Sequence, residues 1–185
     1  IGTLYPLYYV FIVSISKGSY VIKGMVDFIP LGINFKSYHV VLSNNSIGRA
    51  YWNTIKYTVV GTFINVLLTS LIAYPLSRKQ LYGRGVLMVF VAFTMFFGGS
   101  LIPRYLIVKG LRMLDTIWAI VLPTAIGTYN TIVMRTFFGT IPDSLPESAY
   151  MDGASEWTVL FKIIIPLSMP IMAVVIMFYG VGHWN

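Results

Sequence analysis

Four stretches of this 185-residue chain run eighteen to twenty residues without a charge: Tyr57 to Leu76, Val86 to Pro103, Thr116 to Met134 and Ile163 to Gly182. A helix rising 1.5 Å per residue needs about 20 apolar residues to cross a hydrocarbon core of about 30 Å. The runs are too long for strands and show no strict alternation, so helices are the only reading. Ile1 to Ser16 is also uncharged and apolar, and it lacks the basic n-region and small-residue cleavage site of a signal peptide. It reads as the outer part of a partial first transmembrane helix, residues 1–16. The expected fold class is therefore all-α, a polytopic membrane helical bundle with five spans visible.

Composition supports lipid as the solvent. Hydrophobic residues make up 57% of the chain and charged residues 10%, against about 45–50% and about 25% in soluble domains. The net charge is +7, but the cations are scattered singly and no nucleic-acid-binding motif accompanies them. They read as membrane-flanking residues. Cysteine is absent, which removes disulfide, thiolate-zinc and thiol chemistry. The two histidines, His39 and His183, have no metal-ligand spacing. No phosphate-binding loop is present, so ATP hydrolysis by this chain is not expected. None of the four complete runs contains an ionisable residue, which argues against a proton relay and for an external source of energy.

Helix breakers sit inside several runs: Gly98-Gly99 in the third, Pro123 in the fourth, Pro166 and Pro170 in the fifth. Two readings stay open. Either they kink helices around a path, where a cavity or a neighbour satisfies the freed backbone, or they reflect the general frequency of Pro and Gly in membrane helices. Trp52, Trp118 and Trp184, with Tyr105, fall on one face if the spans alternate, as an aromatic belt would. The positive-inside count does not decide orientation. Arg78, Lys79 and Arg84 lie on one side, while Lys17, Lys23, Lys36, Arg49, Arg104, Lys109 and Arg112 lie on the other.

Two segments lie outside the spans. Residues 17–51 contain Pro30-Leu31-Gly32 and Asn44-Asn45 and read as a small ordered extramembrane loop. Residues 135–162 hold four of the six acidic residues: Asp143, Glu147, Asp152 and Glu156. Ser144-Leu145-Pro146-Glu147 has the pattern of a capping box, with Ser144 as N-cap and Pro146 in the first turn. A short helix is expected to about Asp152, a break at Gly153, and a second helix from about Ser155 into the fifth span. A push on the short helix would then move the span.

Glu147-Ser148-Ala149-Tyr150-Met151-Asp152-Gly153-Ala154, followed by Ile163-Ile164-Ile165-Pro166 at the appropriate distance, resembles the EAA loop of ABC importer permeases. Ser148 stands where that pattern has alanine, and Ile165 where it has leucine. Asn53-Thr54, Ala73-Tyr74-Pro75-Leu76-Ser77-Arg78, Phe137 to Pro142 and His183-Trp184-Asn185 resemble the carbohydrate-permease branch, the maltose-transporter type. Phe96 to Pro103 resembles a subgroup serving larger oligosaccharides. The resemblance covers essentially the whole chain. It implies a type I importer transmembrane domain of six spans, a bacterial inner-membrane location, and a cytoplasmic EAA loop that docks on a separate ATPase. That orientation puts residues 17–51 outside and residues 52–185 in the permease core.

The implied partners are a second permease subunit forming a heterodimer, two ATPase subunits, an extracytoplasmic solute-binding protein, a sugar substrate and membrane lipid, with no nucleic acid. ATP and Mg would sit on the partner ATPase, and no cofactor on this chain. The resemblance assigns Glu147, Ser148, Ala149, Asp152, Gly153, Ala154 and Pro166 to ATPase coupling. Glu147 has an alternative in the capping box alone, and Gly153 in a tight turn alone. Candidate substrate-path residues are Thr94, Phe96, Phe97, Tyr129, Asn130 and Tyr179; for each, helix packing competes. The seven cations expected on the outer face suit an anionic oligosaccharide. A permease for an amino acid or another non-sugar solute would share the EAA loop, and an integral-membrane enzyme would need charged catalytic residues at an interface.

Overall fold

The helix Asn45–Ser77 sets the architecture because its pattern is inverted relative to a helix in water. Its buried residues include Gly61, Thr62, Asn65, Val66, Thr69, Ser70, Ala73, Tyr74 and Ser77, a stripe at helical spacing made mostly of small and polar side chains. Val59 and Phe63 point outward, at 64% and 69% exposure. Lipid is as apolar as leucine, so membrane helices associate through close packing and interhelical hydrogen bonds rather than through burial of oil.

The computed structural model describes residues 4–97 and 99–184. In chain order the helices are α1 (Tyr5–Ile15), α2 (Gly18–Ile22), α3 (Lys36–Leu42), α4 (Asn45–Ser77), α5 (Arg84–Phe96), α6 (Leu101–Gly110), α7 (Trp118–Val121), α8 (Thr128–Phe138), α9 (Ser144–Met151), α10 (Glu156–Val159), α11 (Ile165–Leu167) and α12 (Met169–Trp184). A 3₁₀ turn at Leu122–Thr124 follows α7, and a π turn at Leu160–Ile164 separates α10 from α11. The chain divides into two compact units, Ile1–Asn53 and Thr54–Asn185.

In the first unit, the stretch read as an ordered loop folds back on α1. Tyr8 donates to the Phe28 carbonyl at 2.9 Å, the Ser14 and Tyr38 hydroxyls meet at 2.7 Å, and the Asn34 N–H reaches the Ile15 carbonyl at 2.8 Å. In the second unit, Val66, Ala73, Tyr74, Met134, Phe138, Val159, Leu160, Ile164, Val175 and Tyr179 form one core. It joins α4, α8, the α10 segment and α12.

The uncharged runs differ from uninterrupted helices. Of the described residues, α4 alone is long and apolar enough to cross a membrane by itself, and counting each bent helix pair as one span gives up to three. α4 begins at Asn45, twelve residues before the uncharged run, because Arg49 and Lys56 do not interrupt a helical backbone. In the third run the helix stops at Phe96 and resumes at Leu101, with Pro103 in its first turn; Gly98, read as a breaker there, lies outside the described residues, as do Ile1–Thr3 and Asn185. The fourth run is interrupted between Thr124 and Thr128, just after Pro123.

The fifth run bends by 86° between Leu167 and Met169. Pro166 and Pro170 account for the geometry. Each lacks the N–H that an α-helix needs and crowds the preceding turn. The ladder widens into the π turn ahead of Pro166, and the Ser168 N–H closes a short turn on the Ile165 carbonyl at 3.0 Å. Kinks at proline and at π turns are the expected causes of sharp bends.

The interruption in the fourth run is sealed from both sides. The Asn65 side-chain amide donates to the Thr124 carbonyl at 3.2 Å and meets His183 Nε2 at 3.0 Å. The Gly127 N–H donates to the Tyr179 hydroxyl at 2.7 Å, and that hydroxyl meets Thr69 Oγ1 at 2.7 Å. Freed backbone groups at membrane depth are tolerated only when neighbours satisfy them, and here side chains of α4 and α12 do so.

Candidate functional site

The segment 139–160 builds a surface from a short helix, a glycine joint and the foot of a bent helix. α9 ends in a Schellman motif: the Gly153 N–H reaches the Tyr150 carbonyl at 3.0 Å and the Ala154 N–H reaches the Ala149 carbonyl at 2.9 Å. Gly153 has φ +79°, in the left-handed region where a Cβ is strained, and nothing lies within 4 Å of where that Cβ would be. The next helix is capped by Ser155, whose hydroxyl accepts from the Thr158 N–H at 3.3 Å. The expected helix–glycine–helix order is thus present, with both boundaries within a residue or so.

The capping box is not. Ser144 is the first residue of α9 rather than its N-cap, and no side chain caps this end. Asp143 already has helical angles, φ −62° and ψ −24°, so the turn starts earlier than the Ser-x-x-Glu pattern implies. The Asp143 carboxylate instead faces Arg78 at 3.5 Å. This leaves Glu147 without the local duty that competed with an external one. Among the described residues, Arg78–Asp143 is the one ion pair.

The coupling candidates divide by side. Glu147, Ser148, Asp152 and Gly153 are exposed. Ala149 and Ala154 pack against the core. Ser148, at the alanine position of the resemblance, returns its hydroxyl to the Ser144 carbonyl at 2.8 Å, so its polarity is absorbed within the helix. Pro166 is exposed next to the bend. Leu145 and Met151 on α9 are 44% and 88% exposed, which gives this helix bare apolar area flanked by acids.

A cavity of about 590 Å³ opens behind α9, lined by Leu71, Tyr74, Pro75, Arg78, Leu81, Asp143, Pro146, Glu147, Tyr150, Glu156, Trp157 and Leu160. Its polar edge is a knot that no sequence motif announces. Tyr150 and Tyr74 both donate to Glu156 Oε2, at 2.7 and 2.8 Å, and their hydroxyl oxygens lie 3.0 Å apart. The Arg78 guanidinium sits 4.9 Å over the Tyr74 ring. Partial burial pushes the Tyr150 hydroxyl above the ordinary tyrosine range, and the bonds to Tyr74 and Glu156 push the same way. The Leu76 carbonyl near the end of α4 accepts from Arg84 Nε at 2.9 Å and Arg135 Nε at 3.1 Å, cations where a helix C-terminus favours them.

The substrate-path candidates gather around the start of α8. Thr94 Oγ1 meets Thr128 Oγ1 at 3.0 Å, tying α5 to α8. Phe97 stacks on Phe93 at 4.1 Å, and Tyr129 lies 6.2 Å from Phe178 on α12. Phe96, Phe97 and Tyr129 are 81%, 66% and 56% exposed. Tyr179 is buried at 7% with its hydroxyl engaged as described, and the Asn130 amide lies against Gly127.

Residues 29–185 match the family described as "Binding-protein-dependent transport system inner membrane component". The chain is 41% identical over 180 residues to the polygalacturonan/rhamnogalacturonan transport system permease protein YtcP of Bacillus subtilis (strain 168), over 97% of this chain and 63% of that protein. It is 38% identical over 183 residues to Protein LplC of the same organism, over 99% of this chain and 62% of that protein. A crystal structure of a bacterial ABC transporter involved in the import of the acidic polysaccharide alginate has a chain that superposes with a TM-score of 0.95 at 37% identity, covering 100% of this chain and 66% of that one. The chain therefore spans a little under two thirds of the length of these relatives. It belongs to the family of binding-protein-dependent transport system inner membrane components.

Proposed function

We propose that the protein is one permease half of an ATP-driven ABC importer in the bacterial inner membrane, and that α9 and Gly153 form the surface that receives force from a separate ATPase subunit. The observation that carries this reading is the exposed face of α9. It presents Leu145 and Met151 beside the carboxylates of Glu147 and Asp152, and Glu147 has no cation paired to it among the described residues. An apolar helix face rimmed by charge suits docking on a partner. The chain acts as a transport subunit; ATP and Mg belong to the partner. A second permease subunit and an external solute-binding protein complete the assembly.

The proposed cargo is an oligosaccharide, and an acidic one. Relatives at 41% and 37% identity carry names or titles that refer to polygalacturonan/rhamnogalacturonan and to alginate. Residues 17–51 hold four cations against one acid, and residues 104–115 hold three against one. Cationic surfaces raise the local concentration of anions. The proposed path runs along Thr94, Phe96, Phe97 and Tyr129, with Asn130 and Tyr179 shaping its wall.

The test is co-purification of the full-length protein with its ATPase, wild type against Gly153→Asp. Aspartate is among the residues that best tolerate left-handed backbone, so the variant adds bulk and charge at the joint with less strain than most other side chains would. The reading expects the wild type to bind and the variant to lose binding. Equal binding by both would put the coupling surface elsewhere. Uptake of oligogalacturonides exceeding that of neutral maltodextrins supports the acidic cargo, and the reverse order removes it.

A further inference from the structure

The joint between α9 and α10 consists of four residues, 152–155, with the open, left-handed Gly153 inside it. Backbone alone gives such a joint room to swing. A partner pushing on α9 would then spend its motion at Gly153 and leave the spans where they were. The Schellman bonds hold the end of α9, but they lie within the joint and do not reach beyond Ala154.

Only side chains cross from α9 to the neighbouring elements on the cavity side. Tyr150 is on α9, Glu156 opens α10, and Tyr74 lies one turn from the end of α4. Their oxygens converge within 2.7–3.0 Å of one another. Two hydroxyl hydrogens serve three contacts, so when both are given to Glu156 Oε2 the two phenols touch without a hydrogen between them. The carboxylate oxygen is the common acceptor, and charge-assisted bonds of this kind are roughly twice as strong as neutral ones. Arg78 Nη2 reaches the Tyr74 hydroxyl at 3.4 Å while Nη1 faces Asp143, just before α9. The knot therefore ties both ends of α9 to α4, and its C-terminal end to α10 as well.

We infer that Tyr150 is a positioning residue for coupling: with Tyr74 and Glu156 it locks the Gly153 joint, so that α9, the end of α4 and the foot of the bent α10–α12 segment move as one body when the partner moves α9. This rests on the coupling-surface reading above. The exposed face of α9 receives the partner; Tyr150 lies toward the cavity, whose lining Glu147 shares, and transmits what is received.

The test uses the full-length chain assembled with its second permease and ATPase subunits in lipid nanodiscs. The sequence contains no cysteine, so spin labels go in at Val59→Cys on α4, which is 64% exposed, and at Ser144→Cys at the start of α9, an exposed residue given no part in docking. The distance between them is measured without nucleotide and with ATP plus vanadate. In an otherwise wild-type background the distribution is expected to be narrow and unchanged by nucleotide. With Tyr150→Phe it is expected to broaden and to shift with nucleotide by on the order of 2 Å or more, the scale of helix movements in switching transitions. Glu156→Gln, which keeps an acceptor oxygen but removes the charge, is expected to shift less, and it carries the same comparison if Tyr150→Phe does not assemble. A purely structural loss would lower assembly without making the distance depend on nucleotide.

An unchanged distance in Tyr150→Phe, or a nucleotide-dependent distance already in the wild-type background, overturns the inference while leaving the coupling surface in place. Failure of the wild-type chain to assemble with its ATPase overturns the underlying reading instead.

Discussion

Two of the interruptions in the chain are each set by a helix-breaking residue and are built in opposite ways. Between Thr124 and Thr128 the freed carbonyl and N–H are taken by Asn65, Tyr179 and, behind them, His183 and Thr69, all from α4 and α12. Between Met151 and Glu156 the backbone closes on itself, Gly153 faces open space, and the side-chain bonds lie at a cavity edge. At the first break the backbone groups are taken by partly buried side chains, and in lipid an unpaired group would have no water to turn to. The second stands at a surface that water reaches. What holds a break in a membrane protein is therefore set by the groups that satisfy it, not by the residue that causes it.

Asn65→Leu attacks the sealed break and should have the largest effect on stability. It strands the Thr124 carbonyl and removes the partner of His183, at a cost of about 2–3 kcal/mol. A clear fall in the thermal midpoint of the detergent-purified protein checks it, and an unchanged midpoint would show that the break does not need Asn65.

Tyr179→Phe removes a single hydroxyl at the same place, with an expected loss of about 1–2 kcal/mol. If the Asn65 and Tyr179 substitutions act on one interface, the double variant should lose less than the two single losses together, because contacting residues fail to add. Full additivity would mean that the two sides of the break are independent.

Gly153→Val addresses the open joint. Left-handed backbone with a branched side chain costs about 1–2 kcal/mol locally. The midpoint should move less than for Asn65→Leu, because nothing packs on Gly153, whereas association with the ATPase should be lost. A variant that unfolds the whole protein as severely as Asn65→Leu would erase the contrast between the two breaks.

Glu147→Gln should be the mildest. Its effect on stability is expected within about 0.5 kcal/mol, as for other surface changes. Loss of one interfacial charge pair of about 1 kcal/mol weakens ATPase binding roughly fivefold, measurable by titration of the ATPase. Binding that is unaffected would assign the docking energy to Leu145 and Met151.

Several of these elements are legible in the sequence. The uncharged runs, the helix–glycine–helix order and the bend at Pro166 and Pro170 each follow from local rules: hydrocarbon thickness, left-handed backbone and the missing proline N–H. One local rule misleads. Ser144-Leu145-Pro146-Glu147 has the spacing of a capping box, but Asp143 is already helical and pairs with Arg78, 65 residues away. A pattern of four residues carries no information about that competitor.

Lipid as the solvent and the points where the backbone cannot continue as a helix are written in the chain. These are properties of each segment and its solvent. The uncharged runs, by contrast, overstate the uninterrupted crossings, of which α4 is the one among the described residues. Which breaks are sealed on their backbone groups and which are bridged only by side chains depends on the packing of the helices. Tyr74 and Glu156 stand 82 residues apart, and Asn65 and His183 stand 118 apart. Tyrosines, glutamates and asparagines are ordinary singly. Their roles arise because helix packing brings one oxygen within reach of two hydroxyls, or one amide within reach of a broken turn, and hydrogen bonds act only over about 3 Å.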